Sequence, residues 1–386
     1  MINNELAFFV KKAFLQKGYD LNNTEIRVIE SNLPSVCDYQ CNSSFEIAKK
    51  ERKNPFDIAL EIAEILNDNK NLFSKAEAYK PGFINLTLSE EYLNKVINDM
   101  FNKEKFAFEK PAKKQLFVID YGGPNIAKPL HVGHLRSPVI GESLKRIIQY
   151  EGHKVISDIH FGDFGLQIGM IIYGLKEREL KPADITLEML NEIYPQINSK
   201  AKTDKDLNNI CAEITKELQD GNKEYNEYWK AIRKISAEDI LKLYKYLDIS
   251  FDLYEGESNA YEYINDLTKL LNEKNLIQIS NGAKIIEIKL PNDSKEFPPL
   301  IYQKSNGAYL YGTTDMATVY ERVQLFNPDH IIYIADLRQQ LHFLQFFRAI
   351  SKTGIIKLDM LEFHGFGTVN DISGQPLKTR EGNTPK

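Results

Sequence analysis

The chain has 386 residues, 42% of them hydrophobic and 27% charged, with a net charge of −5 at pH 7. That length holds two or three domains with their own cores. No apolar run approaches a membrane span and no long low-complexity tract is present, so a membrane-embedded or disordered chain is excluded. The acidic balance argues against a general nucleic-acid binder, although local basic and hydrogen-bonding patches can still hold a large RNA.

Residues 1–110 read as a small α+β domain. Its start, MINNELAFFVKKAFLQKG, mixes acid and base and carries no small-residue cleavage site, so neither an export nor an organelle signal is expected. Leu6, Phe9, Val10, Phe14 and Leu15 outline an amphipathic helix ending near Gly18. A strand is expected over Ile26–Glu30, a helix after Asn54-Pro55, and an alternating strand from Phe83 to Leu88. Cys37, Cys41 and Cys211 make no disulfide framework, and no second pair or nearby histidine completes a metal site. They are read as free thiols in a reducing cytoplasm.

Lys103–Lys114 is charged, contains Pro111 and reads as a linker. After it, Leu116–Ile119 is a buried-strand run, Gly122-Gly123-Pro124-Asn125 is a turn, and Leu135, Val139, Ile140, Leu144, Ile147 and Ile148 recur at helical spacing. Strand, turn and helix form the first half of a nucleotide-binding βαβ unit, with its ligand at the strand end and helix amino terminus. Within it, His131-Val132-Gly133-His134 sets two imidazoles on one face of a starting helix. They can donate to oxygens whose negative charge grows in a transition state. Two partly buried histidines, or a zinc pair, are the alternatives. Pro138 means either that Ser137 caps a helix beginning at Pro138 or that the helix starts earlier and kinks.

Lys154–Ile159 reads as the next parallel strand, leading into His160-Phe161-Gly162-Asp163-Phe164-Gly165-Leu166-Gln167, a tight loop that is either ligand-facing or a purely structural turn. The pattern is helical and heavily charged over about 171–280, with apolar stripes such as Ile210, Ile214 and Leu218. Short strands are expected at Lys284–Leu290 and Pro299–Gln303. They are followed by YGTTDMA, by a buried strand over Ile331–Ala335 leading into RQQLHFLQFF, and by FHGFG.

The segment PNIAKPLHVGHLRS resembles the HIGH region of class I aminoacyl-tRNA synthetases, and of arginyl-tRNA synthetases in particular. DYQCN, NPFDIA and PGFIN, the GDFGLQ loop, YGTTDMA and RQQLHFLQ follow that family's motifs in order. The resemblance implies an α/β fold: a Rossmann-like doubly wound parallel sheet, a mainly helical insertion at about 171–297, and a small α+β amino-terminal domain ahead of it. The catalytic domain would span 111–386.

Further expectations follow from the resemblance. The chain would activate L-arginine with ATP and pass it to tRNA-Arg, with Mg²⁺ carried on the nucleotide, and would do so only with tRNA bound. Planar guanidinium recognition needs carboxylates, and Asp120 and Asp315 are the candidates. Tyr311 would pack over the side chain, and Asn125 and Gln339 would orient the amino and carboxylate end. His131, His134, Pro129, Gly133, His364, Gly365 and Phe366 would hold ATP. The family's KMSKS appears here as Pro376-Leu377-Lys378-Thr379-Arg380, with threonine at the second lysine position. Pyrophosphate charge is therefore assigned to Lys128, aided by Lys378 and Arg380. Asn85 stands where a D-loop contact would lie. A monomeric cytoplasmic protein without a protein-ligated metal is expected. The sequence runs six residues past Arg380, and by the resemblance an anticodon-binding domain is expected to be missing from it. That leaves three readings: a synthetase piece, a short paralogue supplying arginyl-adenylate to another acceptor, or an inactive tRNA- or arginine-binding protein.

Overall fold

The computed structural model describes residues 2–22, 24–103, 111–128, 130 and 132–368. Two units emerge, Met1–Glu109 and Lys110–Lys386.

In the first unit, α1 (Ile2–Gln16) buries Leu6, Val10, Ala13 and Phe14. Leu15, expected on this face, is exposed; the stripe turns toward Ala13 because side chains at i, i+3 and i+4 share one helix face. Next come β1 (Val28–Glu30), β2 (Tyr39–Cys41), α2 (Ser44–Glu51), α3 (Pro55–Asn67), β3 (Phe73–Tyr79), β4 (Phe83–Leu88) and α4 (Glu90–Asn102). The strands form an antiparallel sheet in the order β1-β2-β4-β3. At the start of α3, the Asn54 side chain accepts from the Phe56 N–H at 2.9 Å, and Pro55 occupies the first helical position. Cys37 and Cys41 are buried thiols whose sulfurs lie 3.3 and 3.4 Å from the hydroxyls of Ser31 and Ser43.

In the second unit, β5 (Leu116–Tyr121) runs through the glycine turn and a short 3₁₀ turn at Val132–Leu135 into α5 (Arg136–Glu151) and then β6 (Lys154–Asp158). Helices α6 (Leu166–Glu177), α7 (Leu187–Ala201), α8 (Lys205–Gln219), α9 (Lys223–Tyr246) and α10 (Glu257–Glu273) follow. A small antiparallel sheet is made by β7 (Gln278–Ser280), β8 (Ala283–Ile286) and β9 (Leu300–Gln303). The chain returns through α11 (Tyr311–Phe326), β10 (His330–Asp336), α12 (Gln340–Ser351) and β11 (Leu361–Phe366). The central sheet is parallel throughout, in the order β11-β10-β5-β6. Its first strand, β5, lies between β6 and β10, so the connections leave in opposite directions. That places a switch point at the carboxyl ends of β5 and β10. No helix among the described residues is long and apolar enough to cross a membrane.

Helix α5 forms where the apolar spacing predicts, but its apolar residues do not all face inward. Val139, Ile140 and Ile147 are exposed, whereas Pro138, Gly141, Glu142, Lys145 and Ile148 are buried. The inward face is set by a polar knot: Tyr121 donates to Glu142 at 2.9 Å, and Lys145 lies 2.9 Å from the same carboxylate. A Cβ on Gly141 would stand 2.1 Å from the Tyr121 ring, so glycine lets the helix close onto β5. Pro138 is the third residue of α5, where no intrahelical N–H bond is owed, and so it causes no break.

Candidate active site

The glycine turn after β5 is held from three sides. Ser137 Oγ accepts from the Gly122 N–H at 2.9 Å and donates to the Ile334 carbonyl at 2.5 Å, tying the start of α5 to both switch-point strands. Tyr244 of α9 donates to the Gly122 carbonyl at 2.7 Å. A Cβ on Gly123 would lie 2.1 Å from the carbonyls of Ile159 and His160, so only glycine allows the turn to pass the end of β6.

Above this turn opens a cleft of about 880 Å³. Of the residues expected to form a site, Asp120, Asn125, Gly133, His134, Tyr311, Asp315, Gln339 and Phe366 all line it. Lys128, His364 and Gly365 do not. Lys128 Nζ lies 5.1 Å from the centre of the Tyr194 ring. His364 is exposed, 3.1 Å from the Glu362 carboxylate. In the first unit, Asn85 is 5% exposed, and its side-chain oxygen accepts from Gln40 at 2.8 Å. Pro129, His131, Lys378 and Arg380 lie outside the described residues.

Asp120 has a partner that periodicity did not reveal. Arg322, on the buried face of α11, donates through Nη2 to Asp120 and to Asp158, at 2.6 Å each. Its Nη1 is buried without a hydrogen-bond partner among the described residues, and its Cζ lies 5.3 Å from the centre of the Tyr333 ring. His160 adds a second cation, its Nδ1 lying 3.3 Å from Asp158. Burial would push this imidazole down, but the hydrogen bond and charge of Asp158, with Asp120 behind, raise it to about 9. Burial also works against the Asp158 carboxylate, and His160 and Arg322 overcome it and hold the group well below its ordinary range. One ligand atom each of Asp120, Asp158 and His160 lie within 4.8 Å of one another, a spacing that fits a metal ion. Arg322 already supplies the positive charge there, so the group does not fit Mg²⁺.

Across the cleft the balance reverses. Asp315, in the first turns of α11, lies 2.5 Å from His342 Nε2 on α12. Glu257 opens α10 and also faces the cleft. Burial, reinforced by the charge of Asp315, pushes its carboxyl up to about 7. Two acids near Tyr311, one bonded to His342 and the other only within the field of His160, leave room for a further cation. Beside them, Asp336 and Arg338 pair at 2.8 Å, and Arg136 donates to the Gly367 carbonyl.

The GDFGLQ loop is a structural turn at its centre. Asp163 is fully buried, accepting from Arg233 at 2.7 Å and from both the backbone and hydroxyl of Ser258 at 2.9 Å. Only its edge serves the cleft: Gln167 donates to Asn125 at 3.2 Å and to the Gly162 carbonyl at 3.1 Å, orienting the Asn125 amide.

Sequence reasoning gave no role to Glu257, His160, His342 or Arg322. His342 carried a usable signal, three residues beyond Gln339 and so on its face of a helix. Arg322 sits 202 and 164 positions from the acids it bonds and Glu257 58 positions from Asp315, so nothing local marks either, whereas His160 follows its partner Asp158 by two residues.

Comparison with known proteins agrees with this architecture. Residues 95–386 match the family described as tRNA synthetases class I (R), catalytic domain, and residues 1–88 match the arginyl tRNA synthetase N terminal domain. A protein of Agathobacter rectalis named arginine–tRNA ligase is 42% identical over 98% of this chain and 66% of its own length. One of the same name from Alkaliphilus oremlandii is 41% identical over 99% of this chain and 67% of its own. The crystal structure of arginyl-tRNA synthetase from Plasmodium falciparum superposes with a TM-score of 0.75 at 28% identity, covering 95% of this chain and 65% of that one. The Thermus thermophilus arginyl-tRNA synthetase shares the fold, with a TM-score of 0.71 at 18% identity over 98% of this chain and 67% of that one. The chain thus spans about two thirds of the length of the curated relatives it matches. With both family matches in register along it, the chain belongs to the class I arginyl-tRNA synthetase family.

Proposed function

We propose that the chain carries the amino-acid-activating machinery of an arginine–tRNA ligase. It joins L-arginine to ATP as arginyl-adenylate, releasing pyrophosphate, and transfers arginine to the 3′ end of tRNA-Arg. The observation that carries this reading is the acid pair of Glu257 and Asp315 beside Tyr311, in a cleft at the switch point of a parallel sheet. A planar guanidinium supplies the missing counter-charge and bonds to both carboxylates. Asp120 suits the other end of the substrate better, since Arg322 holds one of its oxygens. Its remaining oxygen would take the α-ammonium group, with Asn125 and Gln339 beside it.

Activation is in-line attack of an arginine carboxylate oxygen on the α-phosphate of ATP. The new O–P bond forms as the bond to pyrophosphate breaks. The protein positions the groups and stabilises phosphate charge. His131 and His134 are assigned to the phosphates. Pro129, Gly133, His364, Gly365 and Phe366 are assigned to the rest of the nucleotide, and Lys128, Lys378 and Arg380 to departing pyrophosphate. Mg²⁺ is assigned to the nucleotide, where it would screen phosphate charge. The tRNA contact expected at Asn85 falls on the Gln40–Asn85 pair. A cytoplasmic monomer completes the reading.

The test is arginine-dependent exchange of pyrophosphate into ATP, with and without tRNA-Arg. Exchange that needs both arginine and tRNA supports the proposal. Exchange with arginine alone favours a supplier of arginyl-adenylate, and exchange driven by another amino acid overturns the pocket assignment.

A further inference from the structure

The contact between His342 and Asp315 has a consequence for how arginine enters. His342 stands in the first turn of α12, with its ring against Phe343 and Phe346. Its side chain is 30% exposed and that of Asp315 is 25% exposed, so both reach the cleft and neither is sealed off. Nε2 of His342 meets Oδ2 of Asp315. Oδ1 of Asp315 has no hydrogen-bond partner among the described residues. Other ionisable groups lining the cleft are Asp120, His134, Arg136 and His160 around the glycine turn, Tyr244 from α9, Glu257 from α10, Tyr311 from α11, Tyr333 from β10 and the Asp336–Arg338 pair before α12. Arg338 is paired with Asp336, which leaves the His342 imidazole as the basic group bonded to Asp315.

A guanidinium arriving at Asp315 therefore meets a carboxylate that, whenever the imidazole is protonated, is already paired with a cation. Two positive groups on one carboxylate repel each other in a site of reduced dielectric. A neutral imidazole resolves the conflict, because its Nε2–H still donates to Oδ2 while the guanidinium takes Oδ1. We propose that His342 is a positioning residue that presents Asp315 as an imidazolium in the empty cleft and releases its proton to solvent when a guanidinium binds. This rests on the reading of Asp315 as a guanidinium ligand. Burial lowers the imidazole's proton affinity, but the hydrogen bond and charge of Asp315 raise it above the ordinary histidine value, which agrees with a charged resident state.

Linkage sets the sign. Arginine affinity rises with pH across the window between the imidazole's value in the bound cleft and its higher value in the empty one, by at most about tenfold per pH unit for this one proton. Glu257 contributes its own proton release, so the histidine's share must be isolated.

Calorimetry of L-arginine binding to the full chain, in two buffers of different protonation enthalpy, measures protons released. More protons should leave the wild type than His342→Gln, which keeps a donor to Asp315 without the charge. His342→Phe should weaken binding severalfold, with His342→Gln restoring it. In parallel, NMR titration of the imidazole signals of the wild type, with and without saturating arginine, should show one midpoint falling by about one unit or more. Equal proton release from wild type and His342→Gln, or no histidine midpoint moved by arginine, overturns the proposal. Failure of arginine to bind at any pH across the neutral range is a different result, which sinks the pocket reading itself.

Discussion

Arg322 on α11 bonds Asp120 at the end of β5 and Asp158 at the end of β6, at 2.6 Å each, joining positions 202 and 164 residues apart. The Arg322 side chain is 2% exposed, so it clamps the return helix onto two adjacent strands inside the protein. The clamp also decides the chemistry above it, because it occupies one oxygen of the carboxylate nearest the turn.

Removing that cation strands two buried acids side by side. Arg322→Met is expected to destabilise the fold by about 3–5 kcal/mol, the range for breaking a buried ion pair. Arg322→Lys should lose less, since an ammonium keeps the charge without the planar fork. Urea midpoints of the two variants check this, and a loss below about 1 kcal/mol for Arg322→Met would show the clamp to be dispensable.

Asp315→Ala should abolish arginine-dependent pyrophosphate exchange and leave the far-ultraviolet circular dichroism unchanged. Losing a charge-assisted partner at a desolvated site costs about 2–5 kcal/mol, or thirtyfold and more in arginine affinity. Arginine binding that survives this change unweakened would remove Asp315 from the pocket.

Glu257 should trade function against stability. Its folded-state carboxyl is raised to about 7, so the unfolded chain releases that proton more readily. Wild-type stability from this group is full in acid and is lost as pH rises through about 7. Glu257→Gln removes the penalty. It should stabilise the fold by on the order of 1–3 kcal/mol above neutrality and be nearly neutral in acid. Arginine affinity should fall in the same variant. Paired denaturation curves in acid and above neutrality, with a binding isotherm, test both halves; equal stability changes at the two pH values would contradict the assignment.

Lys128→Ala should slow adenylate formation about tenfold or more while changing arginine binding little, since the side chain is assigned to the departing pyrophosphate. Rapid-quench measurement of the chemical step, set beside the arginine isotherm, separates the two effects. An unchanged rate would return the role to Lys378.

Much of the path to the site was legible along the chain. Leu116–Ile119, the Gly122-Gly123 turn and the helix after His134 are local signals, because strand and helix periods and turn chemistry act over a few residues. The same local rule located α5 but did not say which of its faces is buried. Val139, Ile140 and Ile147 look like a core face, yet Glu142 and Lys145 are inside, where Tyr121 and each other satisfy them. Helical spacing reports which residues share a face but not where that face points, and a buried ion pair with its hydrogen bonds satisfied can outrank a hydrophobic stripe. Likewise, Asp120 and Asp315 were both legible as acids at a ligand-facing edge, while the partner of each was not.

The sequence by itself determined the order of strands, turns and helices around the nucleotide motif, and the kind of side chain each edge of the cleft would offer. Only the tertiary structure decided which acid is already neutralised. It set Arg322 against Asp120, His342 against Asp315, and Glu257 beside Asp315, where burial and that neighbouring charge push its carboxyl up to about 7. The charge a carboxylate presents depends on its neighbours in space, and here two of those neighbours come from helices distant in sequence, α10 and the far turns of α11.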